Sequence, residues 1–271
     1  MKNTTRTAIG VTLIVLIGLT AWALAGTLEN QKYIDLGGAE FQKGNYDAAI
    51  SLFTTGIELN PDNAYIYNDR GLSYLQAGDK DKAISDFTKA IELKPDFAEA
   101  YYNRGLAYFR TYYYGWKGNT KVLFEKAISD YTKAIELKPD YVDAYYNRGL
   151  VRWRQYGVQP YDKPYDAETI DKHNKALADF DRVLELDPLY VLAYAGKGNA
   201  YYRCGEYDKA LTEYDKALKS GNLIVQKVGD EGLAGVYASR GRTYLFLEEM
   251  DKSISDYNKA MELLGKPPGH L

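Results

Sequence analysis

The chain has 271 residues, 46% of them hydrophobic and 26% charged, with a formal net charge of −3. That balance excludes a disordered chain and supplies no basic field for a phosphate backbone, so nucleic acid is not an expected partner. A single cysteine, Cys204, rules out an internal disulfide framework. Its place within a helical pattern reads as a small apolar residue rather than a nucleophile.

Taken in chain order, the first element is a targeting segment. Lys2 and Arg6 precede an apolar run from Ala8 to Ala25, and Ala23-Leu24-Ala25 has the small-x-small spacing of a secretory cleavage site. Residues 1–25 are therefore read as a signal peptide or, since about 18 apolar residues approach the length of a span, as a signal anchor. Either form places the remainder of the chain on the far side of the membrane, periplasmic or extracellular. The chain is soluble there if cleaved near Ala25, or held in the inner membrane by residues 8–25 as its only membrane contact.

The rest is a copied unit. Lys82 to Phe109 return almost unchanged as Lys126 to Trp153. Glycines with an aromatic four residues earlier recur as Tyr33/Gly37, Tyr67/Gly71, Tyr101/Gly105, Tyr145/Gly149, Tyr194/Gly198 and Tyr237/Gly241. A second set at helical spacing follows each one: Ala49/Phe53/Gly56, Ala83/Phe87/Ala90, Ala127/Tyr131/Ala134, Ala176/Phe180/Val183, Ala210/Tyr214/Ala217 and Ser253/Tyr257/Ala260. Steps of four and three put each set on one helix face, and small residues allow two antiparallel helices to approach closely. Six helical hairpins are predicted. Pro61, Pro95, Pro139 and Pro188 end second helices, and Asp96 with Glu99 reads as a capping box opening the next first helix.

The steps Gly37–Gly71–Gly105 are 34 residues each, and the pattern resembles the tetratricopeptide repeat family over about residues 30–264. The resemblance implies an all-α, right-handed α-solenoid of six repeats, at about 30–63, 64–97, 98–141, 142–190, 191–224 and 234–264, with a short tail over 265–271. Repeat one departs from it with Glu40 where the family prefers an aromatic, and repeats five and six lack the terminal proline. Function in such a family is a non-catalytic protein–protein interaction scaffold taking a protein or peptide partner, and no cofactor or metal is expected.

Comparison among the copies adds a second pattern. Arg70, Arg104, Arg148, Lys197 and Arg240 stand just before the first-helix glycine, and Asp86, Asp130, Asp179, Glu213 and Asp256 just before the second-helix aromatic. In repeat one both change together, to Leu36 and Leu52. A ladder of cation–carboxylate pairs inside the hairpins is predicted. Lys82, Lys126, Lys175, Lys209 and Lys252, four residues before the acids, would share them.

Residues offset from the packing stripe of the first helices would line the inner curve of the superhelix. They are Asn68, Leu72, Tyr102, Leu106, Arg110, Tyr146, Leu150, Trp153, Arg154, Asn199, Tyr202, Arg203 and Arg242. Rings flanked by arginines suit an extended peptide or a helix bearing acidic groups. The family's C-terminal carboxylate clamp is not supported: Asn103 and Asn147 fit, but repeat one offers Ile34 and Gly38 in place of the lysine.

Two longer spacings place insertions at about 112–124 and 156–174, inside repeats three and four, with second helices lengthened upstream. Tyr112, Tyr113, Tyr114, Trp116, Tyr156, Tyr161 and Tyr165 form an aromatic lobe there. It either packs or offers an alternative carbohydrate- or peptide-binding surface. A third excess makes residues 220–233 an inter-repeat linker and hinge. With few residues after repeat six, apolar side chains near Met261 and Leu264 should be exposed, favouring self-association. No catalytic constellation appears: His173 and His270 lack metal-ligand spacing, and there is no phosphate-cradling loop or nucleophile elbow. The chain is not expected to be an enzyme.

Overall fold

The structure, a computed structural model, describes residues 28–113, 120–155 and 167–266. The described residues are helical, without strands. In order they are α1 (28–42), α2 (Tyr46–Leu59), α3 (Ala64–Ala77), α4 (Lys80–Leu93), α5 (Ala98–Tyr113), α6 (Thr120–Leu137), α7 (Val142–Arg154), α8 (Ala167–Leu186), α9 (Val191–Arg203), α10 (Tyr207–Lys219), α11 (Gly221–Phe246) and α12 (Met250–Leu263). The chain divides into two compact units, one ending at Gly115 and the other beginning at Trp116. The first holds α1–α5 and the second α6–α12. The segment 1–25 lies outside the described residues, among which no helix is long and apolar enough to cross a membrane.

Hairpins form where the glycine pattern places them. A Cβ on Gly71 would lie 2.7 Å from the Phe87 ring, one on Gly37 2.6 Å from Phe53, and one on Gly198 2.5 Å from Tyr214. Only glycine therefore allows the two helices their separation. Phe180 is gripped from two sides, since added Cβ atoms on Gly149 and Gly196 would come within 3.0 and 2.7 Å of it. Phe53, Phe87, Phe180 and Tyr214 thus each fill their own hairpin, and Phe180 also meets the first helix of the next.

Helix ends follow backbone chemistry. α2, α4, α6 and α8 stop at Leu59, Leu93, Leu137 and Leu186, two residues before Pro61, Pro95, Pro139 and Pro188, because the residue before proline avoids the helical region. α6 and α8 have 18 and 20 residues against 14 in α2 and α4, with the additional turns before Ala127 and Ala176. Turns inside hairpins use the left-handed region at Gly44, Gly78 and Gly205. The turn before α12 puts Glu248 there instead, at φ 60°.

Three expectations need correction. The capping box at Asp96 is not made: α5 begins at Ala98, and Asp96 Oδ1 accepts from Lys94 Nζ (2.7 Å). The segment 220–233 is not a spacer but part of α11, helical on both sides of a break at Gly229 (φ 72°, ψ −176°), a conformation open mainly to glycine. Ile224 is fully buried, and Leu223 and Leu233 pack on the Val191/Tyr214/Ala217 cluster, so burial fixes the segment. Met261 is buried with Ser253, Asp256 and Ala260 on the inner stripe of α12, while Leu264 is exposed.

Candidate functional site

The ladder is present and larger than the sequence suggests. Arg70 Nε and Nη2 donate to the two Asp86 oxygens, both at 2.8 Å, and Nη1 donates to Thr54 Oγ1 (3.1 Å) on the preceding hairpin. Thr54 Oγ1 spends its own proton on Ile50 O (2.7 Å), leaving lone pairs for the guanidinium. In the second unit, Arg148 grips Asp179 through Nη2 (2.7 Å) and Thr132 through Nη1 (3.1 Å). Arg240 holds Asp256 through Nε and Nη2 (2.7 Å each) and Asp215 through Nη1 (2.6 Å). Arg104 Nη1 donates to Thr88 Oγ1 (3.2 Å). Its expected acid, Asp130, belongs to the other unit, so that pair falls outside the description of either unit.

Arg70, Arg148 and Arg240 therefore each tie three helices: their own, the hairpin partner, and the second helix of the hairpin before. The neighbouring-hairpin acceptors, Thr54, Thr88, Thr132, Asp181 and Asp215, all follow a second-helix aromatic directly. That register recurs in the sequence, although spacing alone does not say which hairpin the acceptor serves. Tyrosines hold the guanidinium from the flanks: Arg70 lies 5.7 Å from the Tyr67 ring and 5.8 Å from Tyr74, with the same distances from Arg240 to Tyr237 and Tyr244.

Lys197 makes the weakest rung. Its ammonium sits 2.7 Å from Asp181 but 3.8 Å from Glu213, because a point charge cannot reproduce the fork. Glu213 takes Lys216 instead (2.8 Å), and its Oε2 is a buried oxygen that no described group satisfies. Four of the lysines expected to share the ladder acids turn the other way. Lys82 pairs with Asp79 (2.7 Å), Lys175 with Asp171 (2.5 Å), and Lys209 and Lys252 with Glu206 and Glu249 at the starts of their helices. An exposed lysine near a helix start finds the acid before it in solvent, whereas the ladder acid is buried.

First helices also adjoin each other, α3 beside α5 in one unit and α7 beside α9 in the other. On the first face, Asn103 Nδ2 donates to Asn68 Oδ1 (2.9 Å), and Asn68 Nδ2 to Asp69 Oδ1 (3.3 Å). Asn68 is thus buried rather than outward-facing, its amide committed to joining two helices. Leu72 and Leu106 are half-buried against Leu75, Phe87 and Ala107; Tyr102 is half-buried. Arg110 Nη1 lies 3.5 Å from Gln76 Oε1. Burial raises the pKa of Asp69 above the ordinary carboxylate value, against a smaller lowering by the Asn68 amide.

On the second face, Tyr146 lies 6.0 Å from the Phe180 ring and 4.9 Å from Tyr190, with Leu150 and Trp153 against the same cluster. Trp153 Nε1 donates to Asn199 O (3.1 Å), and the guanidiniums of Arg203 and Arg154 sit 4.9 and 5.3 Å from its ring. Asn199 Oδ1 accepts from Tyr214 OH (2.8 Å), so that side chain serves the scaffold. Tyr202 meets Tyr207 and Phe246, each at 5.7 Å, and Arg242 is exposed. His173 is buried, and burial together with Arg203 pushes its pKa down. Burial pushes the Cys204 thiol up to about 11, so it is protonated at neutral pH. Among the described residues, no group of three or more His, Cys, Asp or Glu could hold a metal ion. The side chains of Tyr112, Tyr113, Tyr114, Trp116, Tyr156, Tyr161 and Tyr165, together with His270, lie outside the described residues.

Comparison with known proteins accords with this geometry. A model described as "TPR repeat" matches residues 37–78, 71–111 and 124–155, and two described as "Tetratricopeptide repeat" match 166–222 and 234–263. Among solved structures, the MamA protein is similar at 28% identity over 74% of this chain and 95% of its own (TM-score 0.56). YrrB, described as a TPR protein with an unusual peptide-binding site, is similar at 21% identity over 79% and 92% (TM-score 0.51). Pseudomonas aeruginosa pilF reaches TM-score 0.64 at 19% identity, over 89% and 94%. No curated protein sequence matches the chain. Proteins built this way are generally interaction modules rather than enzymes. Glycine-gripped aromatics, paired helices and matching models together show that this chain belongs to the tetratricopeptide repeat family.

Proposed function

We propose that the chain is a non-catalytic scaffold of the cell envelope that holds an extended peptide or a helix on its first-helix faces. The carrying observation is Trp153, fixed by its bond to Asn199 O and flanked by Arg154 and Arg203 while still half-exposed. A rigid ring bordered by guanidiniums anchors apolar side chains and orients carboxylates. Tyr146, Leu150, Tyr202, Arg203 and Arg242 belong to this face, and Tyr102, Leu106 and Arg110 to the corresponding face of the first unit. The peptide-binding description of YrrB supports the reading by likeness of fold.

Crosslinking in the native organism followed by mass spectrometry identifies the partner, and Tyr102→Ala, Tyr146→Ala and Trp153→Ala should each abolish its capture. Capture unaffected by all three would refute the reading. Export rests on residues 1–25 and is tested by N-terminal sequencing of the mature protein and by protease access in spheroplasts. Self-association at the last hairpin, where Met250, Ile254 and Leu264 are exposed, is tested by light scattering of the wild type against Ile254→Lys.

A further inference from the structure

Asp69 and Arg70 are adjacent on α3 and meet opposite fates. Arg70 faces Asp86 and is neutralised by it. Asp69, about 100° round the helix from Arg70, lies beside Asn68, the residue that reaches α5. Among the described residues its carboxylate receives one long hydrogen bond, from Asn68 Nδ2 (3.3 Å), and pairs with no cation. An ionised carboxylate has about four acceptor positions, so most of its capacity is unused.

The scaffold does not demand this charge. At the same place, two residues before the first-helix glycine, later copies carry neutral Asn103, Asn147, Gly196 and Ser239. Asn103, in the adjoining helix, is isosteric with aspartate. Repeat one has Asp35, which is exposed and accepts from Gln31 Nε2 (2.9 Å). A charge held in partial burial, with no cationic partner among the described residues and no structural need, fits a ligand that brings the opposite charge.

The same face gives the ligand a second coordinate. Arg110 reaches α3 at Gln76, seven residues beyond Asp69, or about 10 Å along the helix. Three residues of extended peptide cover about 10 Å. Leu72 lies one turn from Asp69, Leu106 one turn from Asn103, and both are half-exposed, offering a wall for the aliphatic stem of a lysine or arginine.

We infer that Asp69, beside the Asn68–Asn103 amide pair, is a subsite for a cationic side chain of the bound peptide. Arg110 takes an acidic side chain three residues away, so the α3/α5 face reads basic-x-x-acidic in either chain direction. This rests on the reading of the first-helix faces as peptide-binding surfaces.

The test is selection from a random-heptapeptide display library on the full chain, followed by synthesis of the consensus peptide with and without its basic residue replaced by norleucine. The expected consensus carries Lys or Arg three positions from Asp or Glu. Norleucine should weaken binding to the wild type at least tenfold and leave binding to Asp69→Asn nearly unchanged, with circular dichroism confirming that the variant is folded. Arg110→Gln should remove the acidic preference alone. Equal loss on both proteins, or selected peptides that depend on Tyr102 but lack a basic residue, would overturn the Asp69 subsite and leave the binding face standing. Peptides that depend on Trp153 but not on Tyr102 or Leu106 would likewise overturn the Asp69 subsite alone, whereas peptides insensitive to Tyr102→Ala, Leu106→Ala and Trp153→Ala alike, or no enriched peptides, would overturn both.

Discussion

Replacing Arg70 by leucine isolates what the ladder contributes. The change leaves Asp86, with 9% of its side chain exposed, without its two 2.8 Å bonds, and it also leaves Thr54 without the third donor. Removing one member of a buried pair costs about 3 kcal/mol, whereas exchanging both for apolar residues is near neutral. Arg70→Leu should therefore destabilise α3 and α4 by about 3 kcal/mol. The Arg70→Leu/Asp86→Leu double variant should lose about 1 kcal/mol or less, chiefly the neighbouring Thr54 contact. Solenoids need not unfold in one step, so the assay is native-state amide exchange, read helix by helix. A loss of about 3 kcal/mol lowers protection in α3 and α4 roughly 100-fold, and the second leucine should restore most of it. If the double variant loses as much as the single, the two residues are not coupled and the reasoning fails. Repeat one already contains the double change, Leu36 with Leu52, in a hairpin where Phe53 still closes on Gly37.

Lys197→Arg should stabilise the chain by about 1 kcal/mol, because a fork can reach Asp181 and satisfy the buried Glu213 Oε2 together; thermal unfolding checks it, and no gain would argue that Lys216 already neutralises Glu213. Glu248→Gly should also stabilise by about 1 kcal/mol, since an L-residue at φ 60° carries strain that glycine lacks. Glu248→Ala should show no such gain, which separates backbone strain from side-chain effects. Asp69 has a folded pKa raised by burial, so its contribution favours folding at low pH and is lost as pH rises through that raised value. Asp69→Asn should flatten this decline and leave the protein at least as stable as wild type at pH 7. A steeper decline would mean that the carboxylate has a compensating partner.

Much of the hairpin was legible because copies of one unit supply their own controls. Gly71 with Phe87 and Arg70 with Asp86 each reappear as matched pairs, and the joint change to Leu36 and Leu52 identifies the contact. The bridge between hairpins was harder to read because its partners stand 16 residues apart, from Thr54 to Arg70, as do Arg70 and Asp86. Spacing alone cannot say which acceptor lies on which side. The lysine spacing misleads because four residues suit an exposed helix face, and the ladder acids are buried beneath it. Residues 220–233 read as a hinge from their glycines, whereas the burial of Ile224 depends on α9 and α10 and has no local signal.

The candidate faces were only partly legible, for a related reason. A residue offset from the packing stripe points outward from its own hairpin, but Asn103 decides whether Asn68 is surface or bridge. That contact crosses from one copy to the next, where the repeat pattern varies. Once the bridge consumes Asn68, the neighbouring charge acquires its meaning: Asp69 is half-buried beside that bridge, while the cation one residue on is claimed by another acid. Recognition is therefore expected at positions that the repeated pairing leaves unneutralised and that later copies fill with uncharged residues, and Asp69 meets both conditions.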